Sequence, residues 1–121
     1  MSDSPPTGRD VLERNRGLLE QLRVPASHKQ AFAELIESSV SRVWAREELS
    51  PDKRSLATIA MLAVLVRPDE LRNHVSMGLD NGLEPGEICE LILQCAVYGG
   101  FPAGVRAFEV VTEVFEARGL A

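Results

Sequence analysis

The chain has 121 residues, enough for one domain with one modest core. Hydrophobic residues make up 45% and charged residues 26%, which excludes a disordered chain, and aromatics are so few (5%) that the core must be built from Leu, Val, Ile and Ala. The net charge is -5, and Arg42, Arg46, Lys53 and Arg54 alternate with Glu47, Glu48 and Asp52, which excludes the basic stripe of a nucleic-acid binder.

Residues 1–8 read as a frayed tail and 9–121 as a single helical domain. The first helix is expected over Arg9–Leu22, ended by Val24 and Pro25. Ser27 is placed to cap a second helix over His28–Trp44. Its stripe is Phe32, Leu35, Ile36, Val40, Val43 and Trp44, at steps of three and four. Trp44 reads as either a core residue or a pocket wall. His28 sits in polar company in the first turn and is expected in solvent. Ser50-Pro51-Asp52 starts the next helix, with serine as cap, proline in the first turn and a carboxylate at the positive end of the helix dipole. That helix, to about Val66, is apolar on nearly every side from Leu56 onward. It must therefore be buried on nearly every side, which is hard in a domain this small without a partner subunit.

Pro68 opens a further helix expected to run to Asn81, stopped by a left-handed Gly82. Glu70 and His74 then lie one turn apart on one face. The pair is either an ordinary solvated contact or an acid–base pair, and Leu71, Val75 and Leu79 give the helix an apolar side on which to pack. His74 is one of only two histidines and carries protons near neutral pH. Arg54 and Arg72 are candidates to clamp a carboxylate through paired hydrogen bonds, or are plain surface charges. Arg67 is either a further clamp or a partner for Asp69 or Glu70.

The fifth helix starts at Leu83-Glu84-Pro85-Gly86-Glu87 and carries Ile88, Leu91, Ile92, Cys95 and Ala96. Gly99-Gly100-Phe101-Pro102 breaks it, and a last helix spans about Ala103–Ala117, with Val105, Phe108, Val111, Val114 and Phe115. The two glycines allow close backbone approach or positive φ. Tyr98 either donates to a substrate oxygen or packs beneath the turn. Cys89 and Cys95 are six apart, too far round a helix to pair with each other, and read as small buried hydrophobes. No strand pattern, phosphate-cradling glycine loop, HExxH zinc motif or nucleophile elbow is present. No secretory pattern is visible and the apolar run Ile59–Val66 is too short to cross a bilayer, so the cytoplasm is the expected compartment.

Four segments, Lys53–Leu62, Pro68–His74, Gly78–Gly82 and Glu87–Pro102, together resemble the carboxymuconolactone decarboxylase family over about residues 32–118. The resemblance implies an all-α, AhpD-like domain of about six helices that assembles as a homo-oligomer, a trimer or a hexamer. It implies a decarboxylase that needs no cofactor and no metal and acts on 4-carboxymuconolactone or a related small lactone acid in aromatic catabolism. On that resemblance His74 delivers the proton, Glu70 orients it or shares the proton, and Arg54, Arg72, Arg67, Tyr98 and Trp44 shape the substrate site. The redox branch of the superfamily carries CxxC followed by histidine. Aligned on His74, its cysteine positions hold Arg67 and Glu70, which removes the electron path of a peroxidase. Val40 and Ser41 stand where the family carries Trp-Gly, and the paired arginines of the longer N-terminal region have only Arg14 and Arg16 as counterparts. These departures leave related lactones or other small carboxylic acids as substrates. A non-catalytic helical binding protein on the same fold is the alternative, and a thiol-dependent antioxidant the third reading.

Overall fold

The computed structural model describes residues 22–120 together with Thr7, Asp10 and Glu13. The expected helix over Arg9–Leu22, with Arg14 and Arg16, lies almost wholly outside the described residues. Among the described residues every regular element is helical, as the sequence predicts. The chain divides into two compact units, Met1–Pro51 and Asp52–Ala121.

In the first unit, α1 spans Ala26–Ile36 and continues through a π-turn, Glu37–Ser41, into Arg42–Trp44. Ser27 does not cap it. Pro25 precedes the helix, and the Ser27 hydroxyl meets His28 Nδ1 at 2.8 Å in solvent. The π-turn has a local cause. Ser38 and Ser39 both donate to the Leu35 carbonyl, at 3.1 and 2.6 Å, competing with the backbone ladder. A widened turn shifts every later position around the axis, so the expected stripe does not survive as one face. Leu35, Val40 and Val43 are exposed, and only Trp44 is buried.

The second unit holds α2 (Pro51–Val64), α3 (Pro68–Asp80), α4 (Pro85–Gly99) and α5 (Phe101–Ala117). Each begins with proline in its first turn, where the missing N–H costs nothing. Glu84 and Glu87 form a reciprocal capping box at the start of α4, with Glu84 N–H donating to Glu87 Oε1 at 2.8 Å. The core takes Ile59 and Ala63 from α2, Leu71 and Val75 from α3, Ile88, Ile92 and Cys95 from α4, and Val110, Val111 and Val114 from α5. Full burial of each larger aliphatic is worth roughly 1.5–3 kcal/mol. Close helix contacts rest on glycine. A Cβ on Gly104 would stand 2.6 Å from Ala96 Cβ, and one on Gly99 2.8 Å from Val64 Cγ2. These two positions press α5 onto α4 and the end of α4 onto the end of α2.

Three helix ends close with the same pair of backbone bonds. At α3 the Gly82 and Leu83 amides donate to Leu79 and Gly78, and at α5 the Gly119 and Leu120 amides donate to Glu116 and Phe115. At α2 the Val66 and Arg67 amides donate to Ala63 and Leu62. Gly82 and Gly119 take the positive φ this motif needs, and at α2 a valine takes it, with φ 54°. The sequence therefore predicts the Gly82 stop correctly but extends α2 two residues too far. It also starts α5 two residues too late, because Gly100, at φ 102°, makes the whole break by itself.

Burial of α2 differs from expectation. Its buried positions are Ser55, Ile59 and Ala63, one stripe four residues apart, while Met61, Val64 and Leu65 stay exposed. Within the second unit α2 packs through one side only. Val105 on α5, expected in the apolar stripe, is exposed as well.

Candidate active site

Helix α3 positions the leading pair. Arg67 precedes it in non-helical backbone, and its carbonyl accepts the Leu71 amide at 2.8 Å. Leu71, Val75 and Gly78 are buried and fix the rotation of the helix. Two flanks are then left, with opposite fates.

On one flank, polar residues are paired with α5. Arg72 donates from Nε and Nη2 to Glu113 Oε2 at 3.1 and 2.8 Å, and from Nη1 to Asp69 Oδ1 at 3.1 Å. The two carboxylates hold its pKa above the ordinary arginine value. One turn on, Arg118 donates to Ser76 Oγ and to Asp80 Oδ1, both at 2.8 Å. Arg72, a candidate carboxylate clamp by sequence, already holds two carboxylates of this chain.

On the other flank stand Glu70 and His74. His74 is half-buried, and its Nδ1 is buried without a hydrogen-bond partner among the described residues. Loss of water lowers its pKa below the ordinary 6.5, and the Glu70 carboxylate acts against that with a smaller upward pull. Glu70 itself is exposed. The Glu70 carboxylate acts on His74 through its charge, with no hydrogen bond between the two side chains among the described residues.

A second orphan lies on α2. Arg54 is partly buried, and its Nε has no partner among the described residues. The residue after it, Ser55, is fully buried and accepts a 2.9 Å hydrogen bond from Asn81 Nδ2 beyond the end of α3. A Cβ at Gly78 would meet Ile59 Cδ1 at 3.0 Å and Ser55 Cβ at 3.6 Å. The Ser55–Asn81 bond and the Gly78 contact thus clamp α2 against α3, the two helices that carry the orphaned nitrogens. This clamp is not visible in the sequence, where Asn81 reads only as a neighbour of the Gly82 stop. A buried polar atom without a partner costs about 1–3 kcal/mol, so two such nitrogens ask for an explanation. An oxygen-rich ligand supplies one: guanidinium Nε–H donates to a carboxylate, and imidazole Nδ1 donates or accepts according to tautomer.

The remaining candidates fall elsewhere. Arg67 is exposed at the start of α3, with no ion pair to Asp69 or Glu70 among the described residues. Tyr98 is 86% exposed, so it is not packed beneath the Gly99–Gly100 turn. Trp44 is buried in the first unit. An open groove of about 790 Å³ runs along the outside of α4, lined by Leu56, Cys89, Leu93 and Phe108 among others, and neither His74 nor Glu70 borders it. Cys95 is buried and its thiol is pushed up by desolvation, while Cys89 is half-buried. Among the described residues no group of three His, Cys, Asp or Glu side chains is arranged to hold a metal ion, and no helix is long and apolar enough to cross a membrane.

The sequence profile of the Carboxymuconolactone decarboxylase family matches residues 28–113, which take in most of α1, all of α2 to α4 and most of α5. The chain belongs to this family. It is 46% identical over 79 residues to a 4-carboxymuconolactone decarboxylase of Acinetobacter baylyi, an overlap of 65% of this chain and 59% of that protein. It is 34% identical over 86 residues to an uncharacterized 15.0 kDa protein in the nqo9-nqo10 intergenic region of Paracoccus denitrificans, covering 69% of this chain and 63% of that one. The chain thus spans about three fifths of the length of the curated relatives it matches. Within the family region, α2 and α3 supply both orphaned nitrogens and the Glu70 carboxylate.

Proposed function

We propose that this family member is a cofactor-free decarboxylase of a small lactone carboxylic acid, 4-carboxymuconolactone or a close relative, acting in aromatic-compound degradation as a cytoplasmic homo-oligomer. The observation that carries the reading is the half-buried His74 with its unpartnered Nδ1, one helical turn from Glu70. In the reaction the bond between the ring carbon and the carboxylate breaks, CO2 leaves, and its electron pair enters the conjugated lactone. A proton then goes to carbon. The protein has to orient the carboxylates, stabilise the spread negative charge and supply that proton.

Arg54 Nε is the donor we assign to a substrate carboxylate, because Arg72 is occupied by Glu113 and Asp69. His74 is the proton donor. In the free protein burial favours its neutral form, and an incoming anionic substrate reverses that balance by favouring imidazolium. Glu70 adds to the same pull and returns the proton from solvent, to which it is open. Pure protein incubated with 4-carboxymuconolactone should release CO2 in step with loss of the substrate's ultraviolet absorbance. No turnover of this compound or of related lactone acids would sink the reading.

A second reading is a binding protein that keeps the fold without chemistry. The groove along α4, which His74 does not border, favours it. Saturable binding of a lactone acid without CO2 release would select it.

A further inference from the structure

We infer that Asn81 is a positioning residue: through Ser55 it fixes the register of α2 against α3 and so holds Arg54 in place. On the proposed function Arg54 binds the substrate carboxylate and His74 donates the proton, and the inference rests on that reading. Asn81 and Ser55 act on the reaction only through Arg54.

Apart from this pair, the buried residues of the two helices are smooth. They are Ile59 and Ala63 on α2, and Leu71, Val75 and Gly78 on α3. Apolar burial is non-directional, so such surfaces alone tolerate sliding. Gly78 brings the helices close, since a Cβ there would stand 3.0 Å from Ile59 Cδ1, but it offers no side chain to lock into a groove. The directional contact is the 2.9 Å hydrogen bond from Asn81 Nδ2 to Ser55 Oγ, across 26 positions of sequence. Ser55 and Asn81 are 1% and 2% exposed, the two buried polar residues among the described residues. Replacing both partners of a buried hydrogen bond by apolar groups is often nearly neutral for stability. What a lone polar contact adds to an apolar helix seam is register.

Both ends of the bond are anchored. The Asn81 amide donates to the Met77 carbonyl at 2.8 Å, and the Gly82 and Leu83 amides close α3 on Leu79 and Gly78. The donor is thereby held to the helix that carries His74. The acceptor directly follows Arg54 near the start of α2. Successive helical residues lie about 100° apart around the axis, so pinning Ser55 onto α3 sets both the height and the direction of Arg54. Arg54 Nε is buried without a partner among the described residues. That nitrogen makes no bond to set its own place, and the backbone beneath it must do so.

The test separates register from stability. Ser55→Ala strands the Asn81 amide. It should lower the urea midpoint and raise KM for a lactone acid, by up to the roughly tenfold expected from loss of a hydrogen bond to a charged group, with kcat less affected. Ser55→Ala combined with Asn81→Leu removes both polar groups and should recover much of the midpoint while KM stays raised. Ile92→Val, in the core on α4, should lower the midpoint and leave KM unchanged. In an Arg54→Lys background Ser55→Ala should raise KM no further, because the two act as one unit. Arg54 also gives a readout without substrate. In protein carrying nitrogen-labelled arginine, its Nε–H should exchange slowly with water, and the signal should vanish in Arg54→Lys. Ser55→Ala and the paired variant should each speed that exchange by about tenfold or more, while circular dichroism stays that of the wild type. A KM unchanged in Ser55→Ala, or one that recovers with the midpoint in the paired variant, overturns the inference. So does an Nε–H that exchanges freely in the wild type or keeps its protection in both variants. Protection lost as expected in a protein that releases no CO2 from lactone acids leaves Asn81 holding Arg54 and removes only the decarboxylase.

Discussion

The two flanks of α3 carry the same kinds of residue and put them to opposite use. On the α5 side, Arg72, Ser76 and Asp80 meet Glu113 and Arg118 at 2.8–3.1 Å, so every guanidinium and carboxylate named there has a partner. On the other side, His74 is half-buried, yet its Nδ1 has no partner among the described residues. Exposed ion pairs add little stability but satisfy their groups. A buried nitrogen left unsatisfied costs stability, and a ligand that pairs with it removes that cost. On the proposed function, the contrast separates residues that hold the fold from residues that carry the chemistry.

The sharpest way to break that contrast is to delete one residue from each flank. His74→Ala should lower kcat on a lactone acid by about 10²–10⁴-fold, the usual worth of positioned proton transfer. It should leave the fold intact by circular dichroism. Arg72→Ala should instead cost about 0.5–1 kcal/mol in urea unfolding, the scale of exposed ion pairs. A loss of kcat in Arg72→Ala as large as in His74→Ala would erase the distinction between the flanks.

A smaller effect is expected across the α2–α3 pair. Arg54→Lys keeps the charge but removes the Nε donor, and a hydrogen bond to a charged group is worth about 1.5–3 kcal/mol. KM should rise by roughly tenfold or more with kcat less affected. An unchanged KM would detach Arg54 from the substrate.

The smallest effect is on stability against pH. His74 has a folded pKa lowered from 6.5 by burial, so between those two values the unfolded chain binds more protons than the folded one. The stability tied to neutral His74 is therefore complete above about pH 6.5 and falls away as pH drops toward the lowered folded value. Urea midpoints of wild type and His74→Gln should run parallel above that pH. Below it the wild type should lose more than the variant, and parallel curves throughout would mean that His74 is not desolvated.

Much of the second unit was legible in the sequence because its signals are local. Proline at 51, 68 and 85 starts helices by its fixed φ and missing amide. Gly82 and Gly100 end them or turn them because only glycine takes positive φ without strain. The stripe Leu71–Val75, together with Glu70 and His74 one turn apart, follows from the helical period. The first unit was read less well, because two serines bond to the Leu35 carbonyl and widen the turn that the periodicity assumed regular. Arg72 and His74 illustrate the limit at the site. Both stood as candidates by residue type, and Glu113, 41 positions away, decided the fate of one of them.

By itself the sequence determined the all-helical class, the helix starts in the second unit, the pairing of Glu70 with His74 on one face, and the family. The first three depend on backbone chemistry or spacing within a few residues, and the family on several such local segments in order along the chain. Only the tertiary structure decided which polar atoms are paired and which are buried alone. It also decided that α2 packs within the second unit through a single side, and that Tyr98 and Phe101 lie outside that unit's core. Partnership and burial depend on residues far apart in the chain, brought together by packing at Gly78, Gly99 and Gly104, and no local pattern encodes them.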